Sequence, residues 1–310
     1  MARLSPALLV LGALVVAPAL AQAQSARVCT EFDAALDQGL AKEPDSIQLN
    51  NFLFEAAHKG CVPALKRLLQ RGASPLSRDR EGDTALARAA RAGRAPIVEA
   101  LIAGASTAER RQIDMPDARG STPLMIAIHS GHPAVARMLL EAGAGVGAIN
   151  AMGETALAEA AYADDEATGE LLLKKGAKAG VVDRYGKSPI CYAAARGATR
   201  LVGELLDAGV DVNARYGGQL TALMWASGFP DQTPTAHAVA TVRLLIAHGA
   251  KLDLVDDRGR SALMTAAALN RFDTARALLD AGANRGLRDK VGKSAADLAA
   301  TEEMRALVKE

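Results

Sequence analysis

Residues 117–144 read D-A-R-G-S-T-P-L-M-I-A-I-H-S-G-H, then P-A-V-A-R-M-L-L-E-A-G-A. The order of residue types in this stretch dictates a local structure. The Thr122 hydroxyl can accept a hydrogen bond from a first-turn N–H, and Pro123 at the first helical position has no N–H to leave unpaired. Leu124, Ala127 and Ile128 follow at helical spacing and form one apolar face. Gly131 ends that helix, because glycine enters the left-handed region without steric cost. Val135, Met138 and Leu139 form the apolar face of a second helix, which Gly143 closes. The stretch reads as helix, turn, helix.

The same phrase recurs. Thr84, Thr122, Thr155, Ser188, Thr221, Ser261 and Ser294 each open it, at intervals of 38, 33, 33, 33, 40 and 33 residues. A spacing of 33 is the length of one supersecondary unit, so the chain is an array of repeats. The closing glycines are Gly72, Gly104, Gly143, Gly176, Gly209, Gly249 and Gly282. From each to the next hydroxyl runs 12 residues, except from Gly104, where it is 18. These segments hold Asp, Asn and Gly, which suits a tight hairpin between units. Residues 28–43 form a short amphipathic cap helix, and a degenerate first unit follows (FLFEAAHKG, then VPALKRLLQRGA). Six full units come next. A last unit from Asp289 has a short polar second helix, as a terminal repeat facing water requires. An array presents a long surface and few deep clefts, which favours binding over catalysis.

This plan resembles the ankyrin repeat, whose pattern is D-x-x-G-x-T-P-L-H-x-A-A-x-x-G-H, and the resemblance covers about residues 50–310. It implies an all-α solenoid of stacked helix-turn-helix units with hairpin loops. One departure is consistent: the family's His after T-P-L is replaced by Ala87, Met125, Ala158, Cys191, Met224 and Met264. The hydrogen bond of that His is lost, and apolar packing is expected in its place.

The N-terminus reads as an export signal over residues 1–23, followed by a cap helix and linker over 24–49 and the array over 50–310. Arg3 precedes the uncharged run Ala7 to Val16, Pro18 breaks it, and small residues around Ala21 and Ala23 suit cleavage. The other reading is an uncleaved anchor, but ten apolar residues fall short of the about 20 that span a bilayer. Export makes the protein periplasmic or secreted and changes the meaning of the cysteines. Cys29 and Cys61 lie near the first repeat, so a disulfide between them is expected, with two separate buried thiols as the alternative. Cys191 falls on an inward helix position and reads as a small core residue. Without the leader, 35 basic and 35 acidic side chains balance (36 − 1 against 35), so no bulk nucleic-acid or lipid binding is expected.

Catalytic signals are missing from the sequence. There is no G-x-S-x-G, Gly-rich phosphate loop or H-E-x-x-H. His129 and His132 are separated by a turn glycine, and His132 sits at the G-H position of the repeat, so neither reads as a metal ligand. His237 falls in an insertion and is expected in solvent. Asp164 and Asp165 replace a turn glycine and read as helix-capping residues. No cofactor, metal or enzymatic activity is expected. Two insertions lengthen the period, one of six residues after Gly104 and one of seven around 227–241, each either part of a binding face or a tolerated loop.

In the family, partners meet the hairpin tips and the exposed side of the first helix. The tips here carry Arg80 and Glu81, Arg119, Met152, Arg184 and Tyr185, Arg215 and Tyr216, and Asp257 and Arg258. First-helix and flanking positions add Arg91, His129, Tyr162, Lys187, Arg196 and Arg260. All four tyrosines and the single tryptophan, Trp225, fall within 64 residues, and Tyr, Trp and Arg dominate interface energetics. Tyr185 and Tyr216 are expected at near-equivalent tip positions and in contact with a partner. Tyr192 and Trp225, 33 apart on the same helix position, fit either stacked core or contact. The expectation is a monomeric, non-enzymatic scaffold in the periplasm whose Tyr and Arg patch grips a folded protein with an acidic or polar surface. The alternative is a secreted effector acting on a host or competitor target.

Overall fold

The computed structural model describes residues 26–107, 109–228 and 233–309. The expected leader lies outside the described residues, as do 229–232 of the second insertion. The chain forms two units, Met1–Ala144 and Gly145–Glu310. In the first, helix α1 (residues 26–40) precedes three helix pairs: α2 (Ser46–Lys59) with α3 (Val62–Gln70), α4 (Ala85–Arg91) with α5 (Ala95–Ala103), and α6 (Pro123–His129) with α7 (Pro133–Glu141). The second unit holds five pairs: α8 (Ala156–Tyr162) with α9 (Glu166–Lys174), α10 (Pro189–Arg196) with α11 (Thr199–Asp207), α12 (Ala222–Ser227) with α13 (Thr235–Ala247), α14 (Ala262–Ala268) with α15 (Phe272–Asp280), and α16 (Ala295–Leu298) with α17 (Glu302–Lys309). Inside each unit, first helices pack on first helices and second helices on second helices. Between pairs the chain makes hairpin fingers. Among the described residues these form no strand, and only isolated antiparallel bridges occur, at Ile149–Thr155 and Tyr216–Leu220. The fold is an all-α repeat array.

The hydroxyl residues start the first helices as the sequence requires. The side chains of Thr84 and Thr155 accept the N–H of Ala87 and Ala158 at 3.2 Å, and Thr122 and Ser261 do the same for Met125 and Met264. Each such cap is worth about 1 kcal/mol. The residue that receives the cap stands where the family's His would be. Ala87, Met125, Ala158, Cys191, Met224 and Met264 are all buried, so apolar packing fills the site. Burial also pushes the Cys191 thiol up to about 12, which removes it as a nucleophile near neutral pH.

At the N-terminal end, Phe32, Leu36 and Leu40 of α1 are buried. Cys29 and Cys61 are bonded, with Cα atoms 5.3 Å apart, and Arg67 of α3 pairs with Asp33 and Asp37 of α1. The helix of the degenerate unit begins at Ser46, inside the segment that the sequence assigned to cap and linker.

Two expectations need correction. Gly104 does not enter the left-handed region: its φ is −84°, whereas Gly143 and Gly282 have φ of 92°. The six-residue insertion explains the difference. Beyond Gly104 the chain runs into a 3₁₀ turn at Glu109–Asp114, held by Ser106 donating to the Glu109 carboxylate at 2.7 Å and by buried Gln112 donating to Leu101 O at 3.2 Å. The second insertion is not simply a loop. It lengthens α13 to 13 residues, against 9 in α11 and α15, so exposed His237 stands on a helix.

Candidate functional site

Each finger closes on one kind of turn. Five residues before the cap stands Asp79, Asp117, Asn150, Asp183, Asp256 or Asp289. Its side-chain oxygen accepts two backbone N–H groups: for Asp79 those of Glu81 and Asp83, at 2.8 and 2.9 Å. Two residues before the cap stands a glycine with positive φ, from Gly82 (79°) to Gly292 (81°). Neighbouring fingers join through the backbone. Ala118 N–H donates to Glu81 O at 3.2 Å in the first unit, and Arg184 to Met152 O, Asp257 to Gly218 O and Lys290 to Arg258 O, each at 2.9 Å, in the second.

One finger departs from the plan. Tyr216 takes the Asp position, and Gln219, at φ 61°, takes the glycine position. Gly217 donates to Gly186 O at 2.7 Å, and a Cβ on Gly217 would lie 2.6 Å from Tyr185 O. Tyr216 is partly buried. Burial pushes its phenol up, and its hydroxyl meets that of Ser188, which makes no side-chain cap for its own helix. Tyr185 precedes its cap by three residues and Tyr216 by five, so the expected equivalence of the two does not hold. Tyr185 is 60% exposed at a fingertip, and Tyr216, from the next finger, reaches back to Ser188 at the root of the finger that carries Tyr185.

The arginines divide in the same way. Arg80, Arg119 and Arg184 are exposed at fingertips. Arg215 donates to Val255 O of the following finger at 2.9 Å, as Arg78 does to Pro116 O. Arg258 turns back onto Asp256, with Nη2 2.7 Å from the carboxylate. Arg196 donates to Tyr162 O at 3.0 Å and stacks 5.0 Å above the Tyr162 ring. His132 Nε2 lies 3.1 Å from Arg91 O, a bracing role that suits its G-H position.

On the first-helix side, the two units differ. In the first, Asp79, Glu81 and Asp83 bring ligand-capable oxygens within 4.8 Å of one another. Guanidinium groups already sit on them. Arg91 grips Asp83 with contacts of 3.0 and 3.1 Å and reaches Asp117 at 3.5 Å, while Arg88 bonds Asp79 and Glu81. Burial pushes the Asp83 carboxyl up despite these cations.

In the second unit the side is aromatic. Tyr162 and Tyr192 meet edge to face, with centroids 5.8 Å apart. The Tyr192 hydroxyl donates to Asp183 at 2.5 Å; burial, and then this bond, push the phenol up. Lys187 Nζ lies 4.9 Å from the Trp225 ring, 5.2 Å from Tyr192 and 6.0 Å from Tyr185. Tyr192 and Trp225 are thus neither fully core nor fully exposed. They are walls around a lysine. Exposed Ile149, Met152, Tyr162, Val182 and Tyr185 fall in the same stretch of chain. Lys187 was legible as a flanking position, and two of its ring partners, Tyr185 and Tyr192, lie in its own repeat; only Trp225 comes from the next one.

No helix among the described residues is long and apolar enough to cross a membrane. A family model for ankyrin repeats in three copies matches residues 53–150, 105–183, 157–240, 196–289 and 233–310. Such repeats are generally protein–protein interaction modules and typically non-enzymatic. With capped helix pairs, glycine-turned fingers and this match over most of its length, the chain belongs to the ankyrin repeat family.

Proposed function

We propose that the protein is a monomeric, non-enzymatic scaffold acting outside the cytoplasm, in the periplasm, where it binds one protein partner through its fingertips and first-helix face. The observation that carries the reading is the exposed set Met152, Arg184 and Tyr185, displayed on fingers whose backbone is fixed by neighbours, with exposed Tyr162 at the end of a first helix. Aromatic side chains on a rigid frame lose little entropy on binding, and arginine adds directional charged contacts. The location rests on the leader-like N-terminus and on the Cys29–Cys61 bond, which persists in oxidising compartments.

Crosslinking in cells, followed by mass spectrometry of captured proteins, tests the reading. Changing Met152, Arg184 and Tyr185 together to Ala should abolish capture of the main partner and leave the melting curve in place. Equal capture by the variant overturns the assigned surface. Fractionation tests the location. Recovery of the intact chain in the cytosol overturns it, and recovery in the medium favours the secreted effector.

A further inference from the structure

The residue just before the cap faces the finger of the next repeat, and Arg260 shows how. Its Nε lies 3.4 Å from the carboxylate of Asp289, which stands five residues before the following cap. A cation in this position is therefore neutralised by the Asp of the next finger. Lys187 holds the same position in its own repeat, just before Ser188. The residue that would neutralise it, five before Thr221, is Tyr216. Asp183 does not serve in its place: its oxygens accept the Tyr192 hydroxyl and the N–H groups of Tyr185 and Lys187, and among the described residues it makes no ion pair with the Lys187 ammonium. Among the described residues Lys187 forms no ion pair, and its ammonium has the rings of Trp225, Tyr192 and Tyr185 for company. The indole N–H of Trp225 is covered and likewise has no acceptor among the described residues.

Ring faces hold an ammonium but do not cancel its charge. They also exclude water, which strengthens any ion pair formed there. We propose that Lys187, walled by Tyr185, Tyr192 and Trp225, is a seat for a carboxylate from an acidic polypeptide segment of the partner, in the place of the Asp that this repeat lacks. The seat rests on the scaffold reading above and names the chemistry that its surface selects. Exposed Arg184 adds positive charge on the same finger, so approach of an acidic chain is favoured from the tip side as well.

Trp225 is the single tryptophan, so its emission reports on this seat alone. Titrating the mature protein with a short acetylated Glu-Ala repeat peptide should change that emission saturably, and the matching Gln-Ala peptide should not. Lys187→Gln should weaken the Glu-Ala peptide at least about tenfold, the scale of one charge-assisted hydrogen bond, and Lys187→Arg should keep most of the binding. Tyr216→Asp restores the internal counter-ion while leaving Lys187 in place, so it should also weaken the peptide severalfold. Equal responses to both peptides, or binding indifferent to Lys187→Gln and Tyr216→Asp, overturn the seat. Oligothymidylate binding as tightly as the acidic peptide also overturns it, in favour of a nucleic-acid surface. If cellular capture still depends on Tyr185 and Arg184 while the acidic peptide gives nothing, the scaffold stands and the carboxylate seat falls.

Discussion

The repeats capped by Thr84 and Ser188 place the same backbone under opposite side chains. Before the cap stand Asp83 and Lys187, and four residues after it stand Arg88 and Tyr192. In the first unit the charges close on one another: Asp83 lies under Arg91, and Arg88 lies over Asp79 and Glu81. In the second, the cation faces rings and forms no ion pair among the described residues. The Asp-centred finger turns are alike in both, and the caps differ in that Thr84 accepts the N–H of Ala87 whereas Ser188 makes no side-chain bond to its own helix, so the difference lies in side chains. One repeat frame can therefore carry either a closed network of ion pairs or a lysine walled by rings.

The contrast can be broken by removing what holds the first unit. Replacing Cys29 and Cys61 with Ser opens a loop spanning a sequence separation of 32, and should cost that unit about 3–4 kcal/mol in chemical unfolding. Peptide binding near Trp225 should not change. Arg91→Ala comes next. It strips the main partner from a fully buried carboxylate, a loss of about 2 kcal/mol, below the usual range for buried pairs because Arg91 is 40% exposed and Arg88 remains nearby. The pH dependence gives the sign. The folded Asp83 carboxyl sits above its ordinary value through burial, so its contribution is fully present below the unfolded value and is lost as pH rises through the folded one. The deficit of Arg91→Ala should therefore shrink as the pH of a urea-unfolding series is lowered into the carboxylate range.

Two smaller changes sharpen the second unit. Tyr192→Phe removes the phenol from buried Asp183 and should cost about 1–2 kcal/mol by thermal unfolding, while the finger turn keeps its two backbone bonds to that carboxylate. Gln219→Gly puts glycine where the other fingers have it. It should gain about 0.5–1 kcal/mol, since a side chain at φ 61° is strained.

The local half of this architecture was legible in the sequence. Caps, apolar spacing and turn glycines act within a few residues, so their signals sit side by side in the chain. Gly104 misled because the residues after a glycine decide its conformation as much as the glycine does, and here Ser106 and Glu109 draw the chain into another turn. The second insertion misled because T-A-H-A-V-A carries nothing to stop a helix, and α13 simply begins earlier. The candidate surface was legible as a list of tips and not as a set of pairs. Arg215 looked free until Val255 O appeared across 40 residues, and Tyr216 looked like a second Tyr185 until its position was counted from Thr221. Cross-repeat partners are fixed by stacking, which no local window contains.

The bond that joins neighbouring fingers is given by Ala118, Arg184, Gly217, Asp257 and Lys290. Five residue types make this kind of main-chain link; proline is barred from it for want of a donor, and at Gly217 any side chain is barred by the nearby Tyr185 O. Cohesion along that edge is thus written in amides, and the lettering above it is free to drift. Such a protein can acquire a new clientele by point changes at its outermost atoms without renegotiating its own assembly.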